Sequence, residues 1–141
     1  MDGRPLLQCS LVAEDILRGT DPGDPRLTIF GVLRIIFASR FPAVHGRLSV
    51  FDTWLGTQAG TFTEEVRILS PDGSEVIGEA RTEFSLEEGM TFQALSHFRN
   101  LVFLVPGDYQ VEVLLNGQEA IRYPLTLVHV PESRPEATKE V

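Results

Sequence analysis

The chain has little cysteine and no long apolar run, and each shortage excludes a class of protein. Cys9 is the only cysteine among 141 residues, so no intrachain disulfide can form. A β-rich chain without disulfides is more typical of a reducing compartment, and we expect a cytoplasmic location. No segment approaches the roughly 20 apolar residues of a transmembrane helix, and the first residues lack the apolar stretch of a signal peptide. The sequence therefore predicts no membrane partner.

Basic residues are also scarce. The chain carries 12 Lys and Arg against 20 Asp and Glu, which gives a formal net charge of −8. Proteins that bind a phosphate backbone need clustered lysines and arginines. No such cluster is visible along the sequence, so we predict no nucleic-acid partner.

The chain contains instead many short β patterns and no long amphipathic helix. The clearest strand runs from Tyr109 to Leu115, where apolar residues recur at every second position, as in a strand with one face in a core. Asn116-Gly117 follows, and Asn-Gly is the strongest short signal for a two-residue hairpin turn. Pro106-Gly107 precedes this strand and predicts a tyrosine corner, in which the Tyr109 phenol bonds back to the backbone.

About eight strands follow one another at the spacing expected of sandwiches. We therefore predict an all-β fold, an immunoglobulin-like or fibronectin-III-like antiparallel β-sandwich of about eight strands, formed by residues 1–130 as one domain. Residues 131–141 lack an apolar period and are expected to form a disordered acidic tail. Trp54, the only tryptophan, is expected in the core. Pro124 lacks a backbone donor, so an edge, a bulge or a switch between sheets is expected there.

The strand predicted over Leu27 to Phe37 is apolar on both faces. One face carries the odd-numbered residues, and the other carries Phe30, Val32 and Ile36, which is too apolar for simple exposure. Either both faces are covered within the domain, for example by Leu101 to Val105, or the second face meets another subunit. Phe30, Val32 and Ile36 are accordingly our candidate interface residues.

Several short segments together resemble a family of small, uncharacterised bacterial proteins. The resemblance spans most of the chain and rests on the following segments: Leu7-Gln8-Cys9, Leu27-Thr28-Ile29-Phe30-Gly31, Phe41-Pro42-Ala43, Ser70-Pro71-Asp72-Gly73 and Pro106-Gly107-Asp108-Tyr109. It implies a stand-alone cytoplasmic protein with an all-β fold. It implies no activity, because that family has none assigned.

No motif announces a reaction. Cys9 could form a nucleophilic dyad with His45, His97 or His129, but it lies inside an apolar strand pattern and is better interpreted as a small buried hydrophobe. The histidines are far apart in sequence and show no metal-ligand spacing. The sequence therefore predicts no enzyme, no cofactor and no transition-metal site.

Acidic loops leave a second interpretation open. Asp21 and Asp24 share one loop and Glu87 lies in another, and calcium takes six to eight oxygens that often come from converging loops. Exposed aromatics could alternatively bind a glycan. Catalytic carboxylate pairs can also form across space, although the neighbours Glu64 and Glu65 would point in opposite directions along a strand.

From these observations we predict a non-enzymatic interaction or structural module. We expect it to self-associate, or to bind another protein, through an apolar sheet face or an edge strand. The alternative is a ligand-binding sandwich with calcium or a glycan at the loop tips.

Overall fold

A computed structural model describes residues 3–132 of the chain, and this part contains nine strands and no helix. The strands are β1 Leu6–Arg18, β2 Leu27–Leu33, β3 Ile35–Ala38, β4 Ala43–Leu55, β5 Gly60–Leu69, β6 Val76–Leu86, β7 Thr91–Phe103, β8 Gly107–Leu115 and β9 Gln118–His129. The predicted all-β class is confirmed. Most of the predicted tail, residues 133–141, lies outside the described residues.

The strands form two sheets, one of which curls strongly. The four-stranded sheet has the order β2-β1-β4-β7, and the five-stranded sheet has the order β3-β9-β8-β5-β6. All pairs are antiparallel except β3 with β9. Within the described residues no helix is long and apolar enough to cross a membrane.

The predicted hairpin and corner are both confirmed. Asn116 and Gly117 have φ angles of 50° and 82°, and the turn joins β8 to β9 with Leu115 opposite Gln118. The Tyr109 hydroxyl donates a hydrogen bond of 2.7 Å to the Val105 carbonyl oxygen. The hairpin turn thus pairs β8 with β9. β8 lies in the centre of its sheet because it also pairs with β5.

The strand predicted over Leu27–Phe37 is in fact two strands in different sheets. β2 is the edge of the four-stranded sheet, and β3 is the edge of the five-stranded sheet. The crossing at Arg34 breaks the alternation, so Ile36 turns inward and is 9% exposed, whereas Ile35 and Phe37 turn outward. Including Ile36 among the interface residues was therefore wrong.

Leu101 to Phe103 cannot cover this apolar strip, because these residues belong to β7 at the opposite edge of the four-stranded sheet. Phe30 and Val32 remain 48% and 57% exposed. The strip is thus open rather than covered by the segment that the sequence suggested.

The main core lies between the two sheets. Trp54 is 1% exposed and belongs to this cluster, as predicted, together with Val66, Val111 and Leu125 from the facing sheet. A smaller apolar cluster around Ala13 and Phe51 includes half-buried neighbours such as Leu95. Pro124 lies in β9 just before Thr126, where the pairing of β9 with β3 begins. The N–H donor that proline lacks therefore interrupts no hydrogen bonds between β9 and β3.

Candidate functional site

A row of charged side chains crosses the outer face of the four-stranded sheet. Arg47 on β4 lies directly opposite Arg99 on β7. Asp15 on β1 accepts a hydrogen bond of 2.7 Å from Arg47 Nη1 and lies opposite Phe30 on β2. Directly opposed residues share a face of the sheet, so Arg47 stands beside Arg99 and Asp15 beside Phe30, and the hydrogen bond from Arg47 to Asp15 links the two pairs. We call Arg47 and Arg99 the basic row; His45 lies two positions along β4, opposite the core residue Leu101.

The basic row borders an open cleft of about 510 Å³. Its lining also includes the acidic residues Glu14 and Asp15. His45 Nε2 lies 3.6 Å from Glu14 Oε1 and is buried without a hydrogen-bond partner. A buried polar atom without a partner calls for an explanation, and a bound group in the cleft would supply one.

The two arginines differ in how their charge is balanced. Arg47 is paired with Asp15, whereas Arg99 has no ion pair within residues 3–132. Like charges that face each other across a strand pair destabilise the sheet. An anion between Arg47 and Arg99 would relieve that repulsion, and Arg99 is the arginine whose charge is free to meet it.

The neighbouring rows are progressively less polar. Ser49 and His97 lie opposite each other, and Ser49 Oγ is 2.8 Å from His97 Nδ1. The next row across β4 and β7 is apolar, with Phe51 opposite Leu95. The face therefore changes from apolar to charged along the strands, and the charged end is also where Phe30 is exposed.

A second polar cluster, which sequence reasoning missed, lies inside the core. Asp52 on β4 and Glu64 on β5 are 0% and 1% exposed, and Trp54 Nε1 donates a hydrogen bond of 2.9 Å to Glu64 Oε2. Both oxygens of Asp52 and Oε1 of Glu64 have no donor among the described residues. Burial and the neighbouring Glu64 raise the pKa of Asp52 to about 9.

The buried carboxyls continue into a short chain of hydroxyl groups. Ser10 lies opposite Asp52 in the β1–β4 pair, and its Oγ is 2.8 Å from the Tyr123 hydroxyl. Burial raises the pKa of Tyr123 well above its usual range. The cluster thus has one half-buried end at Tyr123 and is otherwise enclosed.

The residues considered for a Cys9 dyad and for the alternative calcium site do not come together. Cys9 lies opposite Thr53, whereas His97 lies opposite Ser49, four positions along β4, which is about 13 Å at strand spacing. Asp24 follows the end of β1 at Arg18 and is ion-paired with Arg26 at 2.8 Å.

The second acidic loop lies at the other end of the same sheet. Glu87 contacts Gly56, beside the start of β1 at Leu6, so the loops are separated by the length of β1, on the order of 40 Å. They cannot share an ion. Within residues 3–132 no group of three or more His, Cys, Asp or Glu could hold a metal.

Residues 8–128 match a protein family described as a family of unknown function, DUF6941. The match covers most of the chain, and the chain belongs to this family. The resemblance to an uncharacterised family is thereby confirmed, without its bacterial origin. No curated protein of known function matches the chain.

Among solved structures, the chain is similar to the Pseudomonas fluorescens alkylpurine DNA glycosylase AlkC bound to DNA containing an abasic site analog. The two share 15% identity with a TM-score of 0.59. The match covers 89% of this chain and 31% of the glycosylase, so the chain spans about a third of that protein. At this identity the likeness shows a shared fold.

This comparison overturns the predictions of function and partner. The neighbour was solved bound to DNA, so the predicted self-associating protein-interaction module and the exclusion of nucleic acid were wrong. The physical reason for the last error is that a net charge of −8 is a sum over the whole chain. Arg47 and Arg99 become neighbours only through strand pairing, and binding depends on such local clusters.

Proposed function

We propose that this domain contacts nucleic acid through the basic row on the outer face of β4 and β7. The observation that carries the proposal is the Arg47–Arg99 pair, in which two guanidinium groups oppose each other beside an open cleft. The fold likeness to a glycosylase bound to DNA supports it. Arginine is the side chain best suited to phosphate, because its fork presents two parallel donors.

A phosphate in the cleft would answer two features of the site. It would lie between like charges that otherwise repel each other, and it would lie near His45, whose Nε2 is buried 3.6 Å from Glu14 Oε1. Glu14 and Asp15 keep the cleft close to neutral. Binding therefore depends on few phosphates, and we expect modest affinity that salt weakens readily.

Phe30 and Val32 complete the proposed surface. Phe30 lies opposite Asp15 and so beside the basic row, and an exposed aromatic ring offers a stacking platform for an unpaired base. Val32 lies one row further along, opposite Ala13. The exposed part of the predicted interface is thus assigned to nucleic acid rather than to another protein chain.

Two finer features belong to the same proposal. The strand order, the tyrosine corner at Tyr109 and the division of the segment Leu27–Phe37 between the two sheets, as β2 and β3, support an immunoglobulin-like sandwich. The single Cys9 supports a cytoplasmic location. We further propose that the domain binds without a reaction of its own. Glycosylase assays on alkylated DNA should then give no base release, and release would contradict this part.

The first prediction tests the basic row directly. Fluorescence anisotropy should detect binding of labelled single-stranded and duplex DNA at low salt. Arg99→Glu should reduce the affinity at least about tenfold and lower the slope of log K against log salt by about one, because it replaces the unpaired cation of the row with an anion. Its fold should persist, since Arg99 is exposed.

Arg81→Glu is the matched control. Arg81 is an exposed strand arginine on β6 of the other sheet, so the substitution makes the same charge change away from the cleft. The proposal requires that Arg81→Glu bind within about twofold of the unsubstituted chain. Equal losses in both variants, or no binding by the unsubstituted chain at low salt, would contradict the proposal.

A further inference from the structure

The core holds two carboxyl groups that no described cation reaches. Asp52 and Glu64 come from facing sheets and are almost completely buried. Within residues 3–132 no ion pair involves either group. Two carboxylates enclosed together without a cation would repel each other at low dielectric, so they cannot both be charged in a stable core.

The oxygen atoms that lack hydrogen-bond donors indicate where a proton would be bound. Trp54 Nε1 bonds to Glu64 Oε2, which leaves Glu64 Oε1 and both Asp52 oxygens without a donor. A carboxylic acid carries one O–H donor. One proton on the pair therefore turns a repulsion into an O–H···O bond, and Trp54 Nε1 fixes Glu64 Oε2 as an acceptor.

We propose that Asp52 and Glu64 share one proton in the folded domain, and that this proton is a lock between the two sheets that alkaline pH releases. Asp52 belongs to β4 of one sheet and Glu64 to β5 of the other. The bond consequently ties the facing sheets together across the core. When the proton leaves, two buried negative charges stand against each other and favour separation of the sheets.

The other titratable groups around the pair do not supply a compensating charge. β9 contributes Tyr123 and β1 contributes Cys9, both of which act on the same cluster. β7 contributes the neutral Ala94 opposite Asp52. The Ser10 hydroxyl lowers the pKa of Asp52, but burial and Glu64 outweigh it, and none of these neighbours carries a positive charge.

The sign of the pH dependence follows from linkage. An unfolded aspartate titrates near pH 4, whereas burial and Glu64 hold the pKa of Asp52 at about 9 in the folded state. The folded state therefore binds the extra proton between these values. The contribution to stability is complete below pH about 4, declines as the pH rises and is gone above the folded pKa.

The test compares urea unfolding midpoints from pH 6 to pH 10 for the full chain, Asp52→Asn and Glu65→Gln. The proposal expects the urea midpoint of the unsubstituted chain to fall as the pH rises. The equilibrium constant for folding should decrease by up to about tenfold per pH unit. Asp52→Asn should flatten this profile, because an amide donates to Glu64 at every pH. Glu65 is the outward-facing neighbour on β5, and Glu65→Gln should keep the slope.

Carboxyl 13C NMR on the unsubstituted chain measures the titration of Asp52 directly, so it tests the proposal even if Asp52→Asn does not fold. The Asp52 signal should titrate on the alkaline side of neutrality, and titration near pH 4 would overturn the proposal. A folded Asp52→Asn variant whose profile runs parallel to that of the unsubstituted chain would overturn it as well.

Discussion

The outer face of the four-stranded sheet and the interior of the domain use the same acidic side chain in opposite ways. Asp15 lies on the outer face, is partly exposed and is paired with Arg47. Asp52 lies between the sheets, is fully buried and faces Glu64 instead of a cation. Burial and the neighbouring Glu64 raise the pKa of Asp52 to about 9.

The difference shows that environment, and not residue type, decides what an acidic side chain does here. Solvent and a guanidinium stabilise the charged form on the outer face. Burial removes the solvent inside, and a second carboxyl raises the pKa further. Charge on the outer face is therefore available to a ligand, whereas the interior pair is available only to a proton.

The largest effect is expected at the tryptophan that supports the interior pair. Trp54→Ala should lower the free energy of unfolding by about 3–5 kcal/mol, because it empties the volume of a fully buried ring and removes the donor to Glu64. Urea unfolding at neutral pH measures this loss.

Trp54→Phe helps to separate the two causes, since it keeps a buried aromatic ring and so loses less volume than Trp54→Ala, whereas it loses the N–H donor completely. It should lower the free energy of unfolding by about 1–3 kcal/mol. If both variants unfold at the same urea concentration as the unsubstituted chain, the interior cluster does not contribute as its burial indicates.

The next largest effect is expected in the segment that crosses between the sheets, where an inward residue on β3 can be compared with an exposed residue on β2. Ile36→Ala should lower the free energy of unfolding by about 2 kcal/mol or more, because Ile36 packs in the main core. Phe30→Ala should cost about 1 kcal/mol or less, since half of the ring is already in water. The two variants should also differ in binding, where only Phe30→Ala weakens association with single-stranded DNA at equal folded fraction.

Local patterns were sufficient to predict part of the fold. Asn116-Gly117 and Tyr109 each depend on a few neighbouring residues, so the hairpin and the corner could be predicted from the sequence. The inward face of β8 follows from period two. By contrast, the exit of the chain from one sheet at Arg34 reverses which residues face inward, and no local signal marks that crossing. Ile36 was misplaced for this reason.

The candidate sites depend on strand order, which the sequence does not reveal. Arg47 and Arg99 are distant in the chain and meet only because β4 pairs with β7, so net charge concealed their cluster. The interior pair left one recognisable signal. Leu48, Val50 and Trp54 all face the core, and Asp52 occupies the inward position between them. Glu64 likewise occupies the inward position between Phe62 and Val66, but its proximity to Asp52 across the two sheets could not be inferred.

The smallest effect is expected at Asp15, the outer-face counterpart of Asp52. Asp15→Asn removes a partly exposed ion pair with Arg47 and keeps a side-chain oxygen that can accept the hydrogen bond from the Ile16 amide. It should lower the free energy of unfolding by about 0.2–1 kcal/mol. Because it also removes a negative charge from the cleft, DNA affinity at low salt should rise, by about 1 kcal/mol at most.

Binding and stability are therefore expected to change in opposite directions at Asp15. Anisotropy titrations at two salt concentrations and urea unfolding on the same preparation measure both quantities. The gain in affinity should shrink at high salt, because exposed charges are screened. A loss of affinity in Asp15→Asn would instead mean that Asp15 holds Arg47 in the orientation that contacts phosphate, and the electrostatic role assigned to Asp15 would then be wrong.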